Sequence, residues 1–77
     1  MLNSQDIRSI INEVVIGIDA NAIASSTKFQ EFGLDSLDHA NILLAIEEQH
    51  GLKVPDEALE ECSSIDGILA YAQKNSS

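Results

Sequence analysis

Tryptophan is absent from this chain, and phenylalanine and tyrosine together number three. The core therefore has to be aliphatic, drawn from ten Ile, eight Leu and three Val. A single cysteine, Cys62, excludes an internal disulfide and fits a reducing compartment. Basic residues are scarce: four Lys and Arg stand against 13 Asp and Glu, for a net charge of −9. Nucleic-acid binders displace phosphate counterions with Lys and Arg, and anionic membrane surfaces attract the same side chains. Neither nucleic acid nor membrane is thus expected as a partner, whereas basic protein surfaces are. No apolar run is longer than the five residues from Ile42 to Ile46, too few to span a bilayer. The opening MLNSQD lacks the basic and apolar regions of a secretory signal. The expectation is a cytoplasmic, monomeric protein with one domain over residues 1–77. A core this small supplies only about 3–5 kcal/mol, and it rarely encloses the roughly 300–1,000 Å³ that most enzyme pockets need.

What is present is helical periodicity. After the capping residues Asn3 and Ser4, Ile7, Ile10, Ile11, Val14, Val15 and Ile18 recur at helical spacing, which predicts a helix over about 4–16 with Gly17 as its stop. From Gly17 to Asp35 the pattern lapses, and the segment is too long for an ordinary connection. It has to pack on something, with Phe29, Phe32 and Leu34 as anchors. A second helix starts after Asp35, a good N-cap with Asp38 in the following turn, and ends at Gly51. Pro55 opens a short helix, DEALEE. Ser63 or Ser64 caps the last one; Ser63 with Asp66 reads as a capping box, and Ile65, Ile68, Leu69 and Ala72 form a buried stripe. Val54 and the Val14–Ile16 run have strand propensity, but their context is helical. The fold class is all-α: a small four-helix bundle, three longer helices plus the short one after Pro55, with a long first loop.

The second helix carries more apolar surface than one buried face needs. At about 100° per residue, Ile42, Leu43 and Ile46 fall on one side, while Leu37, Ala40 and Leu44 fall on another, flanked by Asn41, Glu47 and Glu48. Two fates are open for the second stripe. Either the bundle and the long loop bury both stripes, or the second is an exposed apolar strip rimmed by carboxylates that suits an apolar partner with a basic rim. Charge is concentrated here: residues 35–61 hold eight acids and one Lys, net −7 of the total −9.

The segment FGLDSLDHANILLAIEEQHGLKVPDE, residues 32–57, resembles the acyl carrier protein family. The resemblance rests on Gly33-Leu34-Asp35-Ser36-Leu37-Asp38, an apolar helix, Glu47-Glu48, Gly51 and Val54-Pro55-Asp56, together with the chain length. It implies that Ser36 carries 4′-phosphopantetheine, transferred from coenzyme A by a phosphopantetheinyl transferase. The thiol of that arm would hold acyl groups as thioesters, and a cleft among the helices would shield them. Physical chemistry agrees with the position, since a helix start stabilises a phosphodiester. By the same resemblance, Asp35 and Asp38 help partner enzymes dock. Leu37, Ala40 and Leu44 supply apolar contacts, and Asn41, Glu47 and Glu48 border them. The expected partners are acyl-transfer and synthase enzymes with basic docking surfaces. Fatty-acid members usually have Glu where this chain has Asn41 and a β-branched residue where it has Ala40. That departure points toward a specialised polyketide, lipid or peptide system as well as fatty-acid synthesis. A peptidyl or aminoacyl carrier is the neighbouring alternative, and a non-carrier interaction module using the same acidic helix is the alternative of a different class.

Catalysis by Ser36 is not expected. The hydrolase elbow G-x-S-x-G is missing, because Leu34 and Asp38 stand at its glycine positions. His39 is one turn away as a conceivable base, but no oxyanion donors accompany it. His39, His50 and Cys62 lack metal-ligand spacing, and the acids around Ser36 do not follow a calcium-loop pattern. Cys62 is expected to be a small buried residue between the last two helices.

Overall fold

Asn3 starts the first helix by a reciprocal exchange: its side chain accepts from the Asp6 N–H, and the Asp6 carboxylate accepts from the Asn3 N–H. In the computed structural model, which describes residues 2–75, this helix is α1 (Ser4–Val14). It is followed by α2 (Ser36–His50) and α3 (Ile65–Asn75), with 3-10 turns at Ala20–Ala22, Phe29–Phe32 and Asp56–Ala58. Among the described residues there is no strand. The bundle is all-α as expected, its short fourth member reduced to the 3-10 turn after Pro55.

Several boundaries differ from the periodicity. α1 ends at Val14, because the β-branched Val15 adopts an extended conformation and only its N–H still reaches the Ile11 carbonyl, at 2.9 Å. Gly17 lies beyond the helix end, and Ile16 is 96% exposed. Pro55 is the cap of its short turn and not the first residue within it. The Ser63–Asp66 capping box is not formed. The Ser63 hydroxyl donates to the Glu60 carbonyl, and it is Ser64 Oγ that accepts from the Gly67 N–H at 3.0 Å to start α3.

The core is aliphatic around one ring. Ile7, Ile10 and Ile11 of α1, Ile42, Leu43, Ala45 and Ile46 of α2, and Ile65 and Ile68 of α3 are buried together with Ile23, Phe29, Leu34 and Cys62. α1 packs on both other helices. Phe29 and Leu34 anchor the long loop as expected, with Phe32 half-buried against the core. The loop is also held by polar groups that periodicity does not reveal. Arg8 Nη1 donates to the carbonyls of Ala20 and Ile23, both at 2.6 Å, and Asn12 accepts from the Ala20 N–H at 2.9 Å. At its other end, the Phe29 N–H donates to the Ser63 carbonyl and the Asp66 N–H to the Ser25 carbonyl, both at 2.9 Å.

Gly67 explains how α3 sits so near the preceding turn. A Cβ at this position would lie 2.2 Å from the Glu61 backbone oxygen, closer than any side-chain carbon is tolerated. At the bundle end away from Ser36, a groove of about 600 Å³ opens between Leu2, His50, Leu52, Leu69 and Ala72. Leu69 and Ala72 are thus only half-buried, unlike Ile65 and Ile68.

Candidate functional site

The corner that presents Ser36 is built by its neighbours. Leu34 is buried, and its N–H donates to the Phe29 carbonyl at 3.0 Å, so the chain is fixed to the core two residues ahead of the serine. Asp35 then caps α2: its Oδ1 accepts from the Asp38 N–H at 2.9 Å, and its carbonyl accepts from the His39 N–H at 3.0 Å. Ser36 is the first residue of the helix and is exposed, and its hydroxyl makes no hydrogen bond among the described residues. The amides of Ser36 and Leu37 lie in the first turn, where helical N–H groups have no carbonyl to pair with. A phosphodiester on Ser36 Oγ would meet those N–H groups and the positive end of the helix dipole. The residues present therefore fit such a group.

The second stripe of α2 is at the surface. Leu37 is 68% exposed, Leu44 is 55% exposed, and Ala40 and Asn41 lie open beside them. The loop and bundle cover only the stripe of Ile42, Leu43, Ala45 and Ile46, which settles the two fates in favour of the exposed strip. Glu48 and Asp35 are exposed, whereas Asp38 and Glu47 are half-buried. All eight residues expected to border a docking surface thus reach solvent, although Asp35 also engages one carboxylate oxygen in the cap.

Alongside this strip runs a slot of about 210 Å³. One wall is α2, through Ala40, Leu43, Leu44 and Glu47; the other is the returning chain, through Val54, Asp56 and Leu59. Sequence reasoning missed Val54, Leu43 and Leu59 as parts of the site. The available signal was the pair Gly51 and Pro55: a helix stop followed at once by a new turn sends the chain back beside α2. Gly51 enables this with φ +74, the left-handed conformation of a helix end.

Among the described residues, His39 makes no hydrogen bond to Ser36. Its Nε2 lies 2.9 Å from the Cys62 carbonyl, and its ring meets Phe29 edge-on, with 5.6 Å between centroids and 60° between planes. Cys62 is buried and free, and burial, reinforced by the neighbouring Glu61 carboxylate, raises its thiol to about 11. It remains a protonated packing residue, as expected. Glu61 pairs with Lys74 at 2.9 Å, which partners one carboxylate of the acidic segment. Among the described residues, no three His, Cys, Asp or Glu side chains group to hold a metal ion, and no helix is long and apolar enough to cross a membrane.

Comparison with known proteins shows the family. The family model described as a phosphopantetheine attachment site matches residues 5–72. An acyl carrier protein of Akkermansia muciniphila is 34% identical over 71 residues, covering 91% of this chain and 88% of that protein. One from Helicobacter acinonychis is 31% identical over 72 residues, covering 92% of this chain and 91% of the relative. A mitochondrial acyl carrier protein of Dictyostelium discoideum is 39% identical over 57 residues, which cover 74% of this chain; the match spans about half of that protein, 48%.

Proposed function

The chain belongs to the acyl carrier protein family, and on that premise we propose that Ser36 is the residue that bears its 4′-phosphopantetheine arm. Proteins of this family are carriers and not catalysts, and they work with a phosphopantetheinyl transferase and with synthase enzymes. When bound, the arm supplies a terminal thiol that holds acyl groups as thioesters. Everything else is the work of the chain. The start of α2 holds the phosphodiester, and the exposed strip of Leu37, Ala40 and Leu44 meets partner enzymes. The carboxylates of Asp35, Asp38, Glu47 and Glu48 attract their basic rims. The slot beside the strip offers an apolar shelter one helix turn from Ser36. A tether of this kind keeps the cargo at high effective concentration for successive active sites.

The observation that carries this reading is the free, exposed hydroxyl of Ser36 at the first position of a helix whose cap is made by its neighbour Asp35. We further propose that the partners belong to fatty-acid, polyketide or specialised lipid synthesis. Asn41 and Ala40 favour a specialised set, because they take a carboxylate and apolar bulk out of the strip.

The test is intact-protein mass before and after incubation with coenzyme A and a broad-specificity phosphopantetheinyl transferase. The expected result is a gain of one phosphopantetheinyl group in the native chain and none in Ser36→Ala, with helicity equal in both. Absence of any gain in a folded, initially unmodified chain overturns the proposal. A non-carrier interaction module would then be the reading to pursue.

A further inference from the structure

The slot beside α2 has two ends, and they differ. After Gly51 the chain reverses, so that Val54, Asp56 and Leu59 line the slot across from Ala40, Leu43, Leu44 and Glu47 of α2. On the side of Val54 the two walls are joined covalently through the turn at Gly51. Toward Ser36, His39 directly precedes the lining residue Ala40 on α2, and Cys62 follows the lining residue Leu59 by three positions on the returning segment. Here the imidazole spans the gap, Nε2 to the Cys62 carbonyl at 2.9 Å. A carbonyl only accepts, so the imidazole tautomer carries its proton on Nε2.

The carbonyl it meets is one that the local backbone leaves open. The turn from Ala58 to Cys62 ends before α3 begins, and its last carbonyls need donors from elsewhere. That of Glu60 takes the Ser63 hydroxyl, that of Ser63 takes the Phe29 N–H, and that of Cys62 takes His39. Phe29, whose ring packs edge-on against the imidazole, restricts its swing. Three segments are thus joined at one side chain: the long loop, α2 and the lead-in to α3.

We propose that His39 is a positioning residue that governs access to the slot from the Ser36 end, by holding the Cys62 segment against α2. This rests on the reading of Ser36 as the attachment site for the carried acyl chain. The chain arriving from Ser36 enters a slot whose near end is cross-tied, so the tie opposes widening. Removing the tie loosens the wall made by Val54 and Leu59 and admits an apolar chain more readily, without altering the attachment chemistry.

Amide hydrogen exchange on the unmodified chain tests the tie itself. In His39→Ala, amides of residues 58–63 are expected to exchange about tenfold faster, the size of one net hydrogen bond, while amides in the middle of α1 keep their protection. His39→Gln, whose amide N–H also reaches a carbonyl, should restore most of it. Unchanged exchange at 58–63, or equal acceleration in α1, overturns the proposal. The second measurement uses chains loaded with an acetyl or an octanoyl group, loading first verified by mass, and follows thioester cleavage by hydroxylamine. His39→Ala should slow octanoyl cleavage severalfold relative to acetyl cleavage, because only the longer chain reaches the slot. General destabilisation would change both alike, and an unchanged ratio overturns the access role. A chain that fails to load counts against Ser36 as the attachment site, and the exchange result still decides the tie.

Discussion

α1 and α2 start in the same way and do different work. Each is capped by a side-chain oxygen, from Asn3 in one case and Asp35 in the other, and each has an acid at its third position. α1 gathers its apolar residues on one face and buries Ile7, Ile10 and Ile11, with polar residues on the remainder. α2 distributes apolar residues around most of its circumference, so its amphipathicity nearly cancels although its core side is as well buried as that of α1. A helix apolar on two sides either lies at the centre of a larger fold or keeps one side for something outside the chain. In a bundle this small only the second is available, which is why Leu37 and Leu44 stand in water.

The comparison can be broken most directly on α2 itself. Ile46→Ala removes a fully buried side chain and should cost about 2–5 kcal/mol, enough to unfold most of a small bundle. Leu44→Ala, two residues earlier, should stay within about 0.5 kcal/mol. Urea melts followed by circular dichroism give both values. Equal losses at the two positions would mean that the second face is not free.

The polar flank of α1 offers the next largest effect. Replacing Arg8 by Met keeps much of its length and removes both 2.6 Å bonds to the loop carbonyls. A loss of about 1.5–3 kcal/mol is expected, as for hydrogen bonds from a charged donor, with faster exchange confined to residues 20–24. A loss spread evenly through the chain would contradict a local latch.

Cys62 sharpens the contrast between buried and solvated acids on the two sides of the returning segment. Its thiol ionises near its ordinary 9.0 when the chain is unfolded and near 11 when folded. Below pH 9 both states hold the proton, and the group gives no slope. Between about 9 and 11 only the folded state does, so raising the pH favours unfolding by up to about 2–3 kcal/mol. Stability measured across this window should fall more steeply in the native chain than in Cys62→Ala, and parallel curves would exclude the effect.

Much of the site was legible because its signals are local. Asp35 as cap, Ser36 as first helical residue and Gly51 as stop are separated by single turns or lie at the ends of one periodic run, where backbone geometry alone dictates the residue type. Asn3 is legible for the same reason. The retreat of α1 from residue 16 to Val14 shows the limit: a β-branched run continues the apolar period while disfavouring the helix. Ser63 and Ser64 are adjacent candidates for one cap, and the choice fell to the neighbour because Ser63 has a better partner in Glu60.

By itself, then, the sequence determined an all-α chain with an aliphatic core, a concentration of negative charge from residue 35 onward, and a serine at the head of its second helix. Each follows from composition or from spacing within a few residues. Tertiary structure alone decided which stripe of α2 faces the core, that Arg8 holds Ala20 and Ile23, that Val54 and Leu59 wall a slot beside α2, and that His39 meets the Cys62 carbonyl. The hydrogen bonds among them join residues 12 to 23 positions apart. No periodicity encodes such a separation; it is settled only when the chain has turned back on itself and each buried carbonyl must find a donor.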